Sequence, residues 1–230
     1  MKIHGFNKLT AVDFPSLLAC LVFTGGCNFR CPFCHNGTLV LNPDDYPLID
    51  NEEIFTYLEK RKGILDGIVI SGGEPTINND LIPFLERVRK TGMLIKLDTN
   101  GYRFDVLKEC VENRLVDYVA MDIKNSLELY GKTIGIDNID TETIEKSIEY
   151  LLSGQVNYEF RTTVTKELHS RESFEKIAQL CRNAENYYLQ NFTANENTIE
   201  KGFSPASRSE LESYIEILSK TIKNVRIRNY

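Results

Sequence analysis

The sequence predicts an α/β fold: a partial, open β/α barrel of parallel strands with about six strand–helix units. Short apolar runs rich in β-branched residues recur along the chain, and a segment with helical periodicity follows each of them. The length of 230 residues limits the number of units, because a closed barrel of eight would leave little chain for loops. The composition, 42% hydrophobic and 26% charged, is sufficient for one buried core.

The predicted elements alternate between strand and helix, as parallel strands require. The predicted strands are Leu17–Thr24, Gly67–Ser71, Leu94–Asp98, Tyr118–Ile123, Asn157–Thr163 and Tyr187–Phe192. The predicted helices are Asn51–Lys62, Asp80–Thr91, Asp105–Asn113, Thr141–Ser153, Glu172–Asn183 and Ser207–Lys220. Asp50 or Asn51 can cap the first helix, Asp80 can cap the second, and Gly92 suits the C-terminal end of the second.

Both ends of the chain extend this core. We expect residues 1–16 to form an N-terminal extension in which Ile3–Asp13 can fold as a hairpin. The barrel core covers residues 17–192, and residues 193–230 hold the last helix and a terminal edge strand at Val225–Asn229. Because no internal repeat, low-complexity tract or long linker is present, we predict a single domain.

The charge and the N-terminal sequence exclude several classes of protein. A formal net charge of −6 argues against binding of nucleic acid or an anionic membrane, since clustered Lys and Arg hold such partners. The first twenty residues lack the features of a secretory signal, and no apolar run reaches the roughly 18 residues of a membrane helix. We therefore predict a cytoplasmic protein whose partner is a small molecule or another protein.

The six cysteines fall into two groups. Three stand alone, at Cys20, Cys110 and Cys181, and these fit small buried hydrophobic residues. The other three form a CxxxCxxC motif at Cys27, Cys31 and Cys34. Three thiolates can ligate three irons of a four-iron four-sulfur cluster and leave the fourth iron open to a substrate. A zinc site is the alternative, but it needs a fourth Cys or His, and His35 only follows Cys34 directly in sequence.

Polar groups follow the other predicted strands, at Ser71–Pro75, Asp98–Gly101, Asp122, Lys124 and Arg161–Thr163. The C-terminal ends of the strands share one mouth in a parallel barrel, so we expect these groups to converge with the cysteine loop. Each also has a structural alternative. The Gly and Asn-Gly pairs can be tight turns, Asp122 and Lys124 can form an ion pair, and Arg161 can be a solvated strand end.

Four motifs occur in a fixed order, and together they identify a family. They are Cys27–Asn36 ending in Phe-Cys-His-Asn, the Ser-Gly-Gly-Glu-Pro of Ser71–Pro75, the Leu-Asp-Thr-Asn-Gly of Leu97–Gly101, and the Met-Asp-Ile-Lys of Met121–Lys124. From Ile3 to about Phe192 the sequence resembles the radical S-adenosylmethionine (radical SAM) superfamily, in particular its glycyl-radical-enzyme activases.

Within the activases, the segments His4–Thr10 and Val12–Pro15 resemble the activating proteins of anaerobic ribonucleoside-triphosphate reductase. Activators of pyruvate formate-lyase tend to show Asp-Gly-Pro-Gly at this place, whereas Phe14 and Ser16 here replace both glycines.

The resemblance implies a reaction. S-adenosylmethionine binds the open iron, and one electron from a flavodoxin or ferredoxin cleaves it to methionine and a 5′-deoxyadenosyl radical. This radical abstracts hydrogen from a glycine of the reductase, which thereby becomes the protein partner. One cluster is expected, because only Cys110 and Cys181 follow Cys34.

The resemblance also implies roles for individual residues. Gly72, Gly73 and Glu74 would bind the amino group of S-adenosylmethionine. Asn36 and Lys124 would bind its carboxylate with support from Arg161, Phe33 would face the adenine, and Asn100 belongs to the same cofactor-binding set. Asp98, Thr99 and Asp122 resemble the ligands of a monovalent cation, although Asp98 could instead bind ribose hydroxyls. His35 could donate a hydrogen bond to the cluster or be an ordinary loop histidine.

Three other functions remain open at this level. The chain could activate pyruvate formate-lyase or another glycyl radical enzyme. It could use the same radical on a small molecule, as the related deazaguanine synthases do. It could also be a non-catalytic metal-binding or electron-transfer module, which would have no need of Gly72–Glu74.

Overall fold

The computed structural model of the chain describes residues 1–228. Its strands are β1 (Ile3–Thr10), β2 (Ala19–Thr24), β3 (Gly67–Gly72), β4 (Leu94–Thr99), β5 (Tyr118–Asp122), β6 (Asn157–Val164), β7 (Asn186–Asn191) and β8 (Asn224–Arg228). Its helices are α1 (Gly37–Leu41), α2 (Asn51–Lys60), α3 (Leu81–Thr91), α4 (Phe104–Glu112), α5 (Leu127–Ile134), α6 (Glu142–Leu152), α7 (Arg171–Leu180) and α8 (Arg208–Leu218). Short 3₁₀ turns occur at Pro43–Asp45 and Pro75–Ile77.

All six predicted strands and all six predicted helices are present, with ends that coincide or differ by at most three residues. Two helices were not predicted. Helix α1 has only five residues, too few for a periodic pattern, and α5 contains Gly131 and β-branched residues that disfavour helices. Asp50 is the cap of α2, because its side chain accepts a hydrogen bond from the N–H of Glu52. The expectation for Asp80 was wrong: its side chain makes no capping bond to α3 and pairs with the amino group of Met1.

The chain divides into two compact units. The first comprises residues 1–28, 38–99 and 105–119, and it contains four strands in the order β1-β2-β3-β4. Strand β1 runs antiparallel to β2, and β2, β3 and β4 are parallel. The predicted hairpin within Ile3–Asp13 was wrong, because Ile3–Thr10 is a single strand that pairs with β2. Three residues of β3, Ile68–Ile70, are fully buried, and Phe55 of α2 packs on Phe84 of α3 with ring centroids 5.2 Å apart.

The second unit comprises residues 29–37, 100–104 and the chain from residue 120 onward. Strands β6, β7 and β8 are parallel, and β8 confirms the predicted terminal strand, apart from Asn229, which lies outside the described residues. The buried Glu159 of β6 accepts two hydrogen bonds from Arg228 of β8, at 2.6 and 2.8 Å, and these fix the last strand.

Strand β5 crosses the boundary between the units, which falls between Val119 and Ala120. The single domain over residues 1–230 therefore stays a prediction. None of the helices within residues 1–228 combines the length and the apolar character that crossing a membrane requires.

Candidate active site

The backbone just before Cys27 packs directly on the Gly72–Gly73 pair of the first unit. The N–H of Gly73 donates to the carbonyl of Thr24 and the N–H of Glu74 donates to the carbonyl of Gly26, both at 2.9 Å. A Cβ atom on Gly73 would lie 1.8 Å from the Gly26 carbonyl oxygen. No side chain fits there, so the glycine is needed to bring the two loops together.

Gly72 has the same constraint and one more. Its φ of +128° is a backbone conformation that side chains disfavour, and a Cβ there would lie 2.2 Å from the N atom of Thr24. The tight-turn alternative is therefore present in the structure. It also has a function, because this turn anchors the start of the cysteine loop.

Glu74 links the ends of β3 and β4. Its side chain is buried, and Oε1 accepts hydrogen bonds from the N–H of Thr76 at 3.1 Å, the hydroxyl of Thr76 at 2.6 Å and the hydroxyl of Thr99 at 2.8 Å. Three donors on one oxygen hold the carboxylate in a fixed position. Thr76, which the sequence analysis did not single out, donates two of these three hydrogen bonds.

Asp98 lies beside a buried lysine that the sequence analysis missed. The Nζ of Lys96 is 2.5 Å from Oδ1 of Asp98, and only 1% of the lysine is exposed. The signal was visible in the sequence, since a charged side chain inside the apolar run Leu94–Leu97 needs a partner when it is buried.

In the second unit, Cys31 and Cys34 lie in one turn of the cysteine loop. The N–H of Cys34 donates to the carbonyl of Cys31 at 3.0 Å. Burial raises the pKa of Cys31 to about 11, and the positive charge of Lys124 opposes this shift. Burial also raises the pKa of Cys34, while the backbone N–H of Asn36 and the charge of Lys124 act to lower it. These groups act toward the thiolates, but burial outweighs them, so both thiols are protonated near neutral pH until a metal replaces the proton.

Backbone hydrogen bonds fix this part of the loop from both sides. The N–H of Arg30 donates to Ile134 at the end of α5, and the N–H of Gly37 donates to Asn197. The N–H of Glu200 donates to the carbonyl of Pro32, between the two cysteines. Residues 195–200, which the sequence left without a role, thus support the cysteine loop.

Asp122, Lys124 and Arg161 form one charged cluster. Oδ1 of Asp122 is 2.8 Å from Nε of Arg161, and Oδ2 is 3.0 Å from Nζ of Lys124. Burial acts to raise the pKa of Asp122, but the positive charges of Arg161 and Lys124 outweigh it and hold the pKa at about 2. Burial acts to lower the pKa of Lys124, and the negative charge of Asp122 raises it instead.

His169 is another residue that the sequence analysis left without a role. Its Nε2 lies 3.0 Å from the carbonyl of Lys124, and its Nδ1 accepts from the N–H of Thr165 at 3.1 Å. Burial lowers the pKa of His169, so the neutral form is favoured. A neutral ring that accepts at Nδ1 donates at Nε2, and this bond fixes the backbone of Lys124.

The structure shows the packing alternative for Phe33 and the turn alternative for Asn100. Phe33 is buried, with its ring centroid 6.5 Å from His169 and 6.2 Å from Phe203. Oδ1 of Asn100 accepts from the N–H of Tyr102 at 3.0 Å, as in an Asx turn, and Gly101 follows with φ +75°. The ring of His35 lies beside that of Phe192 in a tilted arrangement, with centroids 5.3 Å apart, and burial lowers the pKa of His35.

Comparison with protein families identifies this chain. The profile of the Radical SAM superfamily matches residues 21–181. The chain belongs to the radical SAM superfamily. The match begins within β2 and ends after α7, so it spans the cysteine motif, Gly72–Glu74 and Lys124.

Individual relatives of this radical SAM protein narrow the family. A protein of Methanocaldococcus jannaschii named as a glycyl-radical enzyme activating enzyme is 33% identical over 233 residues, which cover 98% of this chain and 95% of that protein. The pyruvate formate-lyase-activating enzyme of Clostridium pasteurianum is 27% identical over 197 residues, 80% of this chain and 78% of that enzyme. The first similarity places the chain among the glycyl-radical enzyme activating enzymes.

The fold comparison agrees with the predicted architecture. A radical SAM methyltransferase from Sphaerobacter thermophilus matches with a TM-score of 0.73 at 17% identity, over 96% of this chain and 68% of that one. The predicted fold is confirmed: an α/β fold with an open sheet of parallel strands, not a closed barrel.

Radical SAM enzymes use a four-iron four-sulfur cluster and S-adenosylmethionine, and the donors present here suit that pair. Within residues 1–228, no three His, Cys, Asp or Glu side chains converge on the position of a single metal ion. A cubane cluster does not need such convergence, because each cysteine ligates a different iron. Soft thiolates select iron–sulfur clusters, and Cys27, Cys31 and Cys34 supply three of them within eight residues.

Proposed function

We propose that this chain activates a glycyl radical enzyme by reductive cleavage of S-adenosylmethionine, and that its target is anaerobic ribonucleoside-triphosphate reductase. The observation that carries the reaction is the contact between the cysteine loop and the Gly72–Glu74 turn. The hydrogen bond from the Glu74 N–H to the Gly26 carbonyl joins the proposed cluster-binding segment to the proposed cofactor-binding turn. A simple metal-binding module would have no use for this turn.

The bound groups would supply one chemistry: an electron from the cluster cleaves the S–C5′ bond of S-adenosylmethionine to give methionine and a 5′-deoxyadenosyl radical, which takes a hydrogen atom from the target glycine. The chain's own residues position these groups. In the proposal, Cys27, Cys31 and Cys34 bind three irons as thiolates, and the fourth iron has no protein ligand.

The cofactor-binding roles follow the polar groups described above. Gly72 and Gly73, with Glu74, offer backbone carbonyls and fixed negative charge to the cationic amino group. Asp122 accepts one of the three N–H donors of the Lys124 ammonium. In the proposal, the ammonium also donates to the methionyl carboxylate. Asn36 and Arg161 support that carboxylate in the proposal.

Phe33, Asp98 and Asn100 are the other members of the proposed cofactor site. Phe33 packs on His169 and Phe203, so adenine contact would require its ring to have one face available. Asn100 shapes the turn after β4, which supports a positioning role over direct binding. Asp98 remains the candidate for the ribose hydroxyls.

The first test is chemical and needs no partner. We would reconstitute the full chain anaerobically, measure iron and sulfide per chain, and assay 5′-deoxyadenosine after adding dithionite and S-adenosylmethionine. The proposal expects about four irons and four sulfides per chain, and deoxyadenosine that depends on both additions. Retained zinc with no deoxyadenosine would contradict it.

The choice of target rests on the N-terminal sequence. Phe14 and Ser16 stand where pyruvate formate-lyase activators tend to carry glycines, which favours the reductase. The 27% identity to a pyruvate formate-lyase-activating enzyme supports that lyase as the second candidate. Both targets fit a cytoplasmic single-domain activase that takes its electron from flavodoxin or ferredoxin.

The target test uses electron paramagnetic resonance. The reduced chain and S-adenosylmethionine are incubated with the reductase or with pyruvate formate-lyase, each beside a variant whose radical-bearing glycine is alanine. We expect a doublet glycyl radical signal with the reductase and none with its variant. A radical signal only with the lyase would overturn the choice of target. Deoxyadenosine formation without a radical signal from either protein would favour a small-molecule substrate.

A further inference from the structure

Lys96 is a buried cation at a position where the resemblance to other activases implies a bound metal cation. Strand β4 brings Lys96 and Asp98 to the same face, since side chains two residues apart along a strand point the same way. Their charged atoms lie 2.5 Å apart, with 1% of the lysine side chain and 14% of the aspartate side chain exposed. The carboxylate therefore already has a positive charge beside it.

A monovalent cation does not fit these residues. The resemblance implies that Asp98, Thr99 and Asp122 would ligate it. A metal ion on Asp98 would face the Lys96 ammonium at close range with little water to screen the repulsion. The hydroxyl of Thr99 already donates to Glu74 at 2.8 Å.

Asp122 gives the same result independently. Each of its two oxygens contacts a protein cation, Arg161 at 2.8 Å and Lys124 at 3.0 Å. Adding a metal ion would displace one of these partners or place a third positive charge beside them. Asp98 in the first unit and Asp122 in the second are thus each neutralised by this chain's own side chains.

We propose that the Lys96 ammonium replaces the monovalent cation, so that this protein binds S-adenosylmethionine without Na⁺ or K⁺. Lys96 acts as a positioning residue: it holds the Asp98 carboxylate and supplies the positive charge that the ion would bring. For cofactor binding the inference rests on the proposed function. Its ion dependence can be measured on the protein alone.

The experiment compares melting temperatures of the full chain in KCl, NaCl and choline chloride at equal ionic strength, since equal ionic strength keeps general screening constant. A specific ion that binds the folded state raises its melting temperature. For the natural sequence we expect values that agree within about 1 °C, and dissociation constants for S-adenosylmethionine on the reconstituted protein that agree within about twofold. A rise of several degrees specific to K⁺ or Na⁺ overturns the proposal.

Lys96→Met keeps the length of the side chain and removes the charge. We expect this variant to melt about 2–4 °C higher in KCl or NaCl than in choline chloride, and to bind the cofactor about tenfold more tightly when the metal ion is present. Lys96→Arg should behave as the natural sequence does. Lys176→Met is the matched control, because Lys176 is also paired with carboxylates but is 44% exposed.

The remaining outcomes are also decisive. If Lys96→Met folds poorly, Lys96→Met combined with Asp98→Asn removes both charges; it should fold and show no ion selectivity, and selectivity there would place the ion elsewhere and overturn the proposal. The proposal is also overturned if Lys96→Met folds but has the same melting temperature in KCl, NaCl and choline chloride. The melting temperatures do not depend on cofactor cleavage, so a failed activase assay leaves this test intact.

Discussion

The two groups of cysteines show how the same side chain acquires different roles in one molecule. Cys20, Cys110 and Cys181 are fully buried in or beside regular elements. Burial raises the pKa of both Cys20 and Cys110 to about 12, and for Cys181 burial is the cause of an even larger rise. Cys27, Cys31 and Cys34 lie instead in a loop without regular structure.

The difference lies in the neighbours rather than in burial alone. Cys31 is also buried, yet Lys124 acts against the rise of its pKa, and no cation acts on Cys181 in this way. The loop backbone is anchored by hydrogen bonds at Thr24, Gly26 and Pro32. A thiol in an apolar element fills space, whereas a thiol in an anchored polar loop can bind metal.

The largest expected effect is on catalysis. Cys31→Ala should reduce formation of 5′-deoxyadenosine on the order of a thousandfold or more, because one iron loses its protein ligand. The matched control is Cys110→Ala, which should keep cleavage within about twofold since the fully buried Cys110 only fills space. Liquid chromatography of the product measures both. Equal losses in the two variants would remove the distinction between the groups.

Alkylation should separate the buried cysteines from ordinary thiols. At pH 8 a thiol with a pKa of about 12 is about one part in ten thousand thiolate, and this fraction rises about tenfold per pH unit until the pH approaches the pKa. Iodoacetamide should therefore modify Cys110 about a thousandfold more slowly in the folded chain than in urea. Mass spectrometry of the peptides gives the rates. Fast modification of folded Cys110 would show that its environment is not apolar.

A smaller effect tests the anchoring of the loop. Gly73→Ala places a methyl group against the Gly26 carbonyl, and displacement of the cysteine segment should lower bound iron and deoxyadenosine about tenfold or more. Gly63→Ala is the control, because Gly63 has a φ of +76°, so that alanine is strained there, but nothing lies within 4 Å of its Cβ atom. It should lower stability by about 1–2 kcal/mol and leave bound iron unchanged. Full iron binding by Gly73→Ala would contradict the anchoring role.

The smallest effect is on stability, where we expect the buried cysteines to matter more than those of the cysteine loop. Without metal, Cys181→Ala should destabilise the chain by about 1 kcal/mol, because a fully buried sulfur is lost. Cys27→Ala, at a partly exposed position, should change stability by less than about 0.5 kcal/mol. Urea unfolding of the metal-free variants measures both. A larger cost for Cys27→Ala would mean that the loop thiol is part of the core.

The sequence predicted the fold well because its signals are local. Apolar runs such as Gly67–Ser71 and the left-handed Gly92 define elements by themselves. The contacts between loops could not be predicted in this way. That Gly73 meets Gly26 depends on tertiary placement, which spacing does not encode.

The same limit applies to residues that act through others. His169 hydrogen-bonds to the backbone carbonyl of Lys124, 45 residues away in sequence. The carbonyl of Asn197 accepts a hydrogen bond from the N–H of Gly37, at the end of the cysteine loop. Neither belongs to a motif. Helix α5 was missed for a related reason, since its stability comes from burying Tyr130 and Ile134 rather than from its own propensity.

The central claim is that three thiolates of this chain leave one iron without a protein ligand. The most direct measurement is the electron paramagnetic resonance spectrum of the reduced, reconstituted chain before and after S-adenosylmethionine is added. We predict a clear change of the cluster's g values in the natural sequence, and no cluster signal in Cys31→Ala. A cluster spectrum that does not change with the cofactor, as four protein ligands would give, would contradict the account.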